Sequence, residues 1–381
     1  MQTWDYAIVG AGMAGAALGW QLAGSGASVL LLERESQPGY HSTGRSAALF
    51  IETYGTPAIR ALTRASRFFY QAPPAGFADA SILTPRGVAY VATQGQEQAL
   101  AALHAELRPH APDLAELTPE ALSALLPCLR PEAVIGGLLD PGAMDIDVHA
   151  LHEGYLRGLR RLGAQLRTDA EVLGLTRTAG AWRIALANGE AVQARCVVNA
   201  AGAWADALAA MAGARPVGLV PRRRSAFTFT PPAGVAVKDW PAAIGVAEDW
   251  YFKPDAGQLL GSPANADDTE PHDVLPEELD VATGIAHIEA VSTLTIRRPT
   301  QVWAGLRSFV ADGEFVIGAD DALEGFFWLA ALGGYGIQSA AGYALLARNL
   351  LLGEPLDAHL RAQGIDDALA ATLSPRRLRA A

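Results

Sequence analysis

Three glycines near the amino terminus have the spacing of a turn that binds a dinucleotide. Gly10, Gly12 and Gly15 form the pattern G-x-G-x-x-G directly after the apolar run at residues 6–9. In such a pattern the first glycine makes a tight turn, the second lets the backbone approach a pyrophosphate, and the third lets a helix pack on the strand. The free N–H groups at the start of that helix would face the phosphates. The turn therefore predicts a nucleotide-binding site.

Glu33 supplies the second element of this site. It follows Gly12 by 21 residues and ends a second apolar run, residues 29–32. A carboxylate in this position accepts hydrogen bonds from a ribose diol and repels a 2′-phosphate, which disfavours NADP. The alternative is a glycine-rich packing turn with an exposed glutamate. The motif by itself does not distinguish FAD from NAD.

The surroundings of the turn predict a buried β-α-β unit. Residues 7–32 carry no charged side chain, which in isolation would suggest a membrane span. The glycines fall where a phosphate-binding turn needs them, however, and we expect a strand at 6–9, a helix at 13–23 and a strand at 29–32. No transmembrane segment is expected.

Strands and helices at both ends of the chain enclose a sheet-rich centre. Residues 182–186 and 191–194 predict a hairpin, an apolar helix is expected at 338–352, and the alternating stretches at 216–318 are typical of an antiparallel sheet. We therefore predict an α/β fold with a discontinuous Rossmann-like domain and an α+β domain built on an antiparallel sheet. The predicted ranges are 1–82, 145–215 and 320–381 for the first domain, and 83–144 and 216–319 for the second.

Composition excludes several classes of protein. The chain has 381 residues, half of them hydrophobic and 18% charged, so it is long enough for two domains and too apolar to be disordered. Its net charge of -11 argues against binding to nucleic acid. Cys128 and Cys196 lie outside any C-x-x-C spacing, so neither a disulfide framework nor a metal site is predicted. Since no export signal precedes the first strand, we expect a cytoplasmic protein.

Four further segments carry a resemblance to a known family. They are residues 40–48 (YHSTGRSAA), 199–204 (NAAGAW), 303–309 (WAGLRSF) and 333–336 (GGYG). These segments resemble parts of the D-amino acid oxidase/dehydrogenase superfamily, three of them its FAD-contacting segments. The similarity runs nearly end to end and is greatest to bacterial FAD-dependent D-amino acid dehydrogenases of the D-arginine dehydrogenase type.

The resemblance implies non-covalent FAD extended across the first domain. Adenosine would lie at Glu33, the pyrophosphate at residues 12–15 and the isoalloxazine near residues 45–48. Residues 334–338 would close over the pyrimidine edge of the flavin, where a helix N-terminus stabilises negative charge. The residues predicted to contact FAD are Gly10, Gly12, Met13, Ala14, Gly15, Glu33, Arg34, Thr43, Gly44, Arg45, Ser46, Ala47, Ala48, Val172, Ala200, Ala201, Gly202, Trp204, Gly305, Arg307, Gly333, Gly334, Tyr335, Gly336, Ile337 and Gln338.

Oxidation of an amino acid requires a clamp for its carboxylate, so that Cα–H points at flavin N5. Arg307 is the first candidate, because a guanidinium binds a carboxylate bidentately. Arg224 and Tyr251 match a second arginine and a carboxylate-binding tyrosine of the family. Their alternatives are a solvated basic run at residues 222–224 and a strand tyrosine that faces solvent. Tyr54 falls in the mobile active-site loop of related enzymes, where a tyrosine acts as a lid.

Two positions depart from the family pattern. Related dehydrogenases have a histidine where this chain has Leu49, and relatives that favour D-arginine have an acidic residue where it has Val88. An unpaired cation in a desolvated pocket costs about 3 kcal/mol or more, so we expect apolar or aromatic D-amino acids to be preferred over D-arginine. The other residues predicted to form the substrate pocket are Phe50, Ala242, Ile244, Gly305, Gly334 and Tyr335.

The expected reaction is hydride transfer from Cα of a D-amino acid to flavin N5, without a protein base. The imino acid product hydrolyses to a 2-keto acid and ammonia. Alternatives are oxidation of sarcosine or another N-alkyl amino acid, oxidation of a 2-hydroxy acid, and a non-catalytic FAD-bound scaffold. The electron acceptor is left open between a quinone, another carrier and oxygen. A quinone would place the protein against the inner face of the membrane.

Overall fold

Two large β-sheets organise residues 2–379, the part of the chain that the computed structural model describes. The strands are β1 (Thr3–Val9), β2 (Val29–Leu32), β3 (Leu49–Phe50), β4 (Leu83–Pro85), β5 (Val88–Thr93), β6 (Ala115–Leu117), β7 (Val134–Asp140), β8 (Met144–Ile146), β9 (Gln165–Arg167), β10 (Val172–Thr178), β11 (Ala181–Leu186), β12 (Ala191–Asn199), β13 (Val220–Phe229), β14 (Ala242–Gly245), β15 (Tyr251–Asp255), β16 (Gln258–Ser262), β17 (Asp267–Asp268), β18 (Gln301–Phe309), β19 (Val316–Ala319) and β20 (Phe326–Ala330).

Helices cover both sheets. They are α1 (Met13–Gly24), α2 (Pro57–Gln71), α3 (Glu97–Leu107), α4 (Pro119–Leu125), α5 (Val148–Arg161), α6 (Ala205–Ala212), α7 (Glu278–Val291), α8 (Ala340–Leu352), α9 (Ala358–Ala362) and α10 (Asp367–Thr372). Short 3-10 turns occur at Ser42–Arg45, Gly202–Trp204 and Pro375–Arg379. Among residues 2–379, no helix combines the length and the apolar character needed to cross a membrane.

The first sheet has the strand order β10-β11-β12-β1-β2-β9, with β20 beside β12 and β19 beside β20. Strand β1 is parallel to both β2 and β12, and Val9 pairs with Leu32 on one side and with Asn199 on the other. The carboxyl ends of these three strands therefore meet at one edge. Ligands bind at this edge in open α/β sheets, and the residues that follow the three strands lie there together.

Helix α1 packs against α5 and α8, and α2 packs against α8. The small residues of α1 allow this close approach, because the side that α1 buries against its neighbours includes Ala16, Ala17 and Gly19. The predicted strands at 6–9 and 29–32, the helix at 13–23 and the hairpin β11–β12 are all confirmed. The expected helix at 338–352 begins at Ala340.

The second sheet has the order β17-β13-β16-β15-β14-β5-β7-β6, with β18 beside β13. All of its pairs are antiparallel except β14 with β5, so the predicted antiparallel sheet of an α/β protein is confirmed. One predicted boundary differs from the structure. Strand β19 (Val316–Ala319) pairs with β20 in the first sheet, although the range 216–319 had been assigned to the second domain. The small sheet β3-β8-β4 spans the predicted boundaries at 82 and 144.

Candidate active site

One cleft runs from the carboxyl edge of the first sheet to the arginine-bearing strands of the second. Its wall includes most of the residues that the sequence predicted to contact FAD. These are Gly10, Gly12, Met13, Ala14, Glu33, Arg34, Thr43, Arg45, Ser46, Ala47, Val172, Ala200, Ala201, Gly202, Trp204, Gly305, Arg307, Gly333, Gly334, Gly336 and Ile337. Arg224 and Tyr251 line the same cleft.

The Gly-rich turn lies where two strands leave no space for side chains. Gly10 has a φ of +103°, and a Cβ there would lie 2.3 Å from the carbonyl oxygen of Ala200. A Cβ on Gly15 would lie 1.9 Å from the carbonyl oxygen of Gly10. Helix α1 begins at Met13, whose N–H donates to Thr43 Oγ1 at 3.0 Å. The cleft thus presents backbone and a helix N-terminus, the donor set that binds a pyrophosphate.

Glu33 is held against this turn by the backbone. Its Oε2 accepts from Ala11 N at 2.9 Å and its Oε1 accepts from Glu35 N at 3.0 Å, and the residue is only 8% exposed. A carboxylate has about four lone-pair sites, so Glu33 retains capacity to accept from a ribose diol. The position and charge of Glu33 fit the adenosine end of a dinucleotide.

His152 is a residue of this region that the sequence did not reveal as functional. Its Nε2 donates to the carbonyl oxygen of Ala11 at 2.8 Å, across 141 residues of sequence. Burial lowers the pKa of His152, so the ring is neutral while it supports the turn. Its helical spacing with Tyr155 and Leu159, which are also buried in α5, is typical of a packing position and does not mark a functional one.

A cluster of polar and aromatic side chains lies at the Glu33 side of the cleft. The Arg34 guanidinium lies 3.8 Å from the centre of the Trp204 ring, and the His41 ring lies 4.8 Å from it. Glu35 accepts from Arg34 Nε at 2.9 Å and lies 2.8 Å from His41 Nε2. These contacts fix Arg34 and Trp204 as a wall against which a flat ring can stack.

Strands β13 and β18 place two arginines on one face at the opposite side of the cleft. Arg224 lies across from Gly305, and Arg222 lies across from Arg307. The glycine lets β18 approach Arg45 closely, because a Cβ on it would lie 3.3 Å from Arg45 Cβ. The arginines of the basic run at residues 222–224 therefore have different surroundings. Arg222 forms an ion pair with Asp268 at 2.8 Å, whereas Arg224 lines the cleft.

Arg224 and Arg307 make no ion pair with any carboxylate of residues 2–379, whereas Arg223 is paired with Asp280 at 2.9 Å. Burial and the like charge of Arg307 lower the pKa of Arg224 to about 10. Burial opposes the charge of Arg307, but neighbouring phenol groups, with Tyr54 first, raise its pKa above the ordinary range. Both guanidinium groups are cationic at neutral pH. Together they form a site for an anion.

Three tyrosines surround Arg307. Tyr251 lines the cleft and is 8% exposed, and the rings of Tyr54 and Tyr335 lie 4.8 Å apart at 56°. Burial raises the pKa of Tyr335, so its phenol stays protonated. A Cβ on Gly334 would lie 2.8 Å from an Arg307 nitrogen, which shows how closely the backbone covers the guanidinium.

The loop that carries Tyr54, residues 51–55, is held by side chains on every side. Thr53 Oγ1 donates to Asp140 Oδ2 at 3.1 Å, and Ile51 N donates to Gln338 Oε1 at 3.3 Å. Arg67 donates to both carboxylate oxygens of Glu52, at 2.7 and 2.8 Å. Charge-assisted contacts of this kind restrain a loop, and here they hold the residues on either side of Tyr54.

Four residues of the predicted substrate pocket come together beside Tyr54. Leu49, Val88, Ala242 and Ile244 belong to one apolar cluster, in which Val88 is 0% and Ala242 is 1% exposed. Strand pairing explains their proximity, since Ala242 lies across from Val88 in β14 and β5, and all four residues lie outside the wall of the cleft.

The structure corrects the expectation for Phe50. This side chain is fully buried on the other side of β3, where its ring lies 5.9 Å from that of Tyr70. Because successive side chains of a strand point to opposite faces, Phe50 turns away from the cluster that contains Leu49.

Several predicted residues lie behind the cleft wall. Gly15 and Gly44 have no room for a Cβ, which would approach the carbonyl oxygens of Gly10 and Gly39 at 1.9 and 2.8 Å. Gln338 is 3% exposed and donates to Thr63 at 3.1 Å. Ala48 (φ +57°) and Tyr335 are likewise outside the wall. These residues shape the backbone that faces the cleft.

A family model matches most of the chain. The model described as FAD dependent oxidoreductase (DAO) matches residues 5–350. The chain belongs to this family. The cofactor of this family is FAD, and the Gly-rich turn, Glu33 and the helix N-terminus at Met13 are the groups of the cleft that would hold it.

Comparisons with individual proteins agree with this family. Mouse mitochondrial dimethylglycine dehydrogenase is 27% identical over 266 residues, which cover 65% of this chain and 30% of that protein. The chain thus spans less than a third of the curated relatives that it matches. Among solved structures, glycine oxidase from Geobacillus kaustophilus has a TM-score of 0.82 at 22% identity, covering 93% of this chain and 96% of that one. FAD-bound L-alpha-glycerophosphate oxidase from Mycoplasma pneumoniae has a TM-score of 0.83 at 19% identity, covering 92% and 95%.

Proposed function

We propose that this FAD-dependent oxidoreductase oxidises D-amino acids. The observation that carries the proposal is the pair of cationic side chains, Arg224 and Arg307, that line the FAD cleft without a carboxylate partner in residues 2–379. Two such charges in a partly buried site are costly unless an anion binds between them. An α-carboxylate satisfies both and would be oriented as well as bound.

The tyrosines complete the proposed carboxylate site. Tyr251 lines the cleft beside Arg224 and offers a phenol O–H to a carboxylate oxygen. Tyr54 packs against Tyr335, with the two rings tilted at 56°, and would cover the substrate from the other side. FAD, when bound, supplies the hydride acceptor for the Cα–H bond. The protein's part is to hold the amine and carboxylate so that this bond faces the flavin.

The apolar cluster beside Tyr54 supports a preference for apolar side chains. Leu49, Tyr54 and Ile244 are among its partly exposed members, whereas Val88 and Ala242 are buried. The members of the cluster offer no carboxylate to a guanidinium or ammonium, and Asp140, opposite Val88 in the β5–β7 pair, already accepts a hydrogen bond from Thr53. We therefore propose that D-leucine, D-phenylalanine or D-methionine is oxidised faster than D-arginine, to a 2-keto acid and ammonia.

The similarity to dimethylglycine dehydrogenase favours a second candidate, oxidation of an N-alkyl glycine. An N-alkyl glycine carries the same carboxylate and would use the same two arginines. It has no side chain to occupy the apolar cluster. A 2-hydroxy acid would share the clamp also, but no feature of the cleft favours a hydroxyl over an amine.

Anaerobic bleaching of the flavin tests these alternatives. The holoenzyme is mixed with D- and L-amino acids, sarcosine, dimethylglycine and 2-hydroxyglutarate, and absorbance near 450 nm is followed. Bleaching by D-leucine, D-phenylalanine or D-methionine, slower bleaching by D-arginine and none by L-forms supports the proposal. Bleaching only by N-alkyl glycines moves the function to the second candidate, and no bleaching by any compound indicates an FAD-bound scaffold.

Two additions sharpen this experiment. Arg307→Ala should bind FAD but lose bleaching, whereas Arg222→Ala, a matched arginine that is ion-paired with Asp268, should retain it. Admission of air after bleaching tests the acceptor. We propose a dehydrogenase that uses a quinone or another carrier, so slow return of the flavin absorbance is expected and fast return would indicate an oxidase.

A further inference from the structure

One of the segments that connect the elements of the second sheet crosses to residues 40–45, called the FAD-binding loop below. Residues 269–277, called the strap below, join β17 to α7 without regular secondary structure. One end is tied to β13 where Thr269 N donates to Pro221 O at 2.9 Å. The other end is tied where Glu277 accepts from Arg223. Both ends of the strap therefore belong to the second sheet.

The middle of the strap binds the loop at residues 40–45. Asp273 accepts from Tyr40 Oη at 3.1 Å and forms an ion pair with Arg45. Arg45 also donates to the carbonyl oxygens of Val274 at 3.0 Å and Ala304 at 3.1 Å. Tyr40 and Arg45 both line the FAD cleft, so the strap holds part of its wall from outside.

Val274 adds an apolar contact to these polar ones. It is 2% exposed and packs with Ala203 and Leu306, which line the cleft, and with Trp204, on which Arg34 stacks. The hydrogen bond from Arg45 lowers the pKa of Asp273, which keeps the carboxylate charged at neutral pH. Among residues 2–379, Asp273 is the one carboxylate within ion-pair distance of Arg45.

We propose that Asp273 is a positioning residue for FAD retention, which ties the strap to Tyr40 and Arg45 and so keeps the FAD-binding loop closed. FAD leaves the cleft when this loop opens, and the ion pair opposes that opening. The proposal rests on FAD binding and not on the identity of the substrate. It predicts a faster dissociation of FAD when the tie is broken.

The test measures FAD dissociation from the diluted holoenzyme by the recovery of free-flavin fluorescence. A partly exposed charge pair of this kind contributes about 1 kcal/mol, so Asp273→Asn is expected to accelerate dissociation about three- to tenfold. Asp273→Ala, which also loses the Tyr40 hydrogen bond, should accelerate it further. Raising the salt concentration should accelerate release from the unmodified protein and have less effect on Asp273→Asn, because salt screens a partly exposed ion pair.

Asp312→Asn is the matched control. The Asp312–Arg377 pair resembles the Asp273–Arg45 pair in exposure, with side chains 41% and 16% exposed against 50% and 15%, but it lies outside the cleft wall. The control should release FAD at the rate of the unmodified protein. The proposal is overturned if Asp273→Ala releases FAD within twofold of that rate, or if Asp312→Asn gives the same acceleration. Unchanged flavin reduction by substrate in Asp273→Asn, together with faster release, supports it.

Discussion

The two walls of the FAD cleft present different chemical groups to a ligand. The wall from the first sheet is formed by backbone at the Gly-rich turn, with Gly10 and Gly15 in positions where a Cβ would meet a carbonyl oxygen at 2.3 and 1.9 Å. The wall from the second sheet consists of side chains, chiefly Arg224, Arg307 and Tyr251. Backbone suits a ligand that never changes, because every residue type supplies the same N–H groups. Side chains suit a ligand that differs between relatives, because they can be exchanged without altering the fold.

The largest effect is expected from Gly15→Ala, on the backbone wall. The new methyl group would overlap the carbonyl oxygen of Gly10 at 1.9 Å, so helix α1 would have to move away from the turn. We expect a protein that loses FAD during purification, with at least a tenfold lower ratio of flavin to protein absorbance.

Gly24→Ala, in the same helix, provides the comparison. The nearest atom to its Cβ would be Leu162 Cδ1 at 4.0 Å, so this variant should keep its flavin. Full flavin content in Gly15→Ala would show that α1 tolerates a shift and that FAD binding does not require a glycine at position 15.

A smaller effect is expected from Arg307→Lys on the side-chain wall. The lysine keeps the charge but not the planar pair of donors, so kcat/KM for the best amino acid should fall about 100-fold, or about 3 kcal/mol in transition-state binding. Flavin content should be unchanged. The measurement is the rate of anaerobic flavin reduction against substrate concentration.

Arg222→Lys is the control for this change, because Arg222 lies opposite Arg307 in the strand pair but is bonded to Asp268. Equal losses in the two variants would contradict the clamp. A loss of flavin in Arg307→Lys would show that the two walls are not separable in function.

A still smaller effect is expected from Thr53→Val, which removes the bond to Asp140 and loosens the loop that carries Tyr54. One neutral–charged hydrogen bond contributes about 1.5–3 kcal/mol, part of which would appear as an increase in KM of about fivefold. The maximal rate of flavin reduction should change less than KM, because Arg307 still orients the carboxylate.

Thr228→Val tests whether loss of any buried threonine hydroxyl has the same result. Thr228 is 6% exposed and lies 2.8 Å from the Thr300 hydroxyl, in the second sheet. A similar increase in KM in this variant would argue for a general loss of stability in place of a role for Tyr54.

The smallest effect concerns the support of the backbone wall by His152. Burial lowers its pKa in the folded protein below the unfolded value of about 6.5. Between those two values the unfolded chain binds more protons, so the free energy of unfolding should decrease as the pH falls below about 6.5. Denaturant titrations at pH 7 and pH 5 measure this change.

His152→Gln can still donate to Ala11 but cannot be protonated, so its unfolding free energy should depend less on pH over this range. An identical pH dependence in both proteins would assign the effect to other groups.

The backbone wall could be predicted from sequence because its determinants are local. The glycine spacing, the apolar runs and Glu33 lie within about 25 consecutive residues, and steric rules for such turns are strict. The contacts of His152 with Ala11 and of Asp273 with Arg45 join residues that are 141 and 228 positions apart, and no local pattern marks them.

The side-chain wall is predicted through the resemblance. This prediction fails where the register of a strand decides the direction in which a side chain points. The resemblance predicts both Leu49 and Phe50 in the pocket, but a one-residue step in a strand reverses the direction of the side chain. Strand β19 was placed in the wrong sheet because a four-residue apolar run does not indicate which partner it pairs with.

The order of strands in the first sheet has a consequence for synthesis of the protein. Strand β1 lies between β2 and β12, and β12 pairs in turn with β20, so residues 3–9 and 326–330 lie in one sheet with only β12 between them. Most of the chain has therefore been synthesised before all strands of that sheet can pair. Because contacts at such sequence separation form slowly, the nascent chain holds an unfinished apolar sheet for most of its synthesis. Because Gly333 and Gly334 line the cleft as well, the cleft is complete only after this late part of the chain has folded, and we expect cells that are short of FAD to accumulate the chain in a form that chaperones and proteases can recognise.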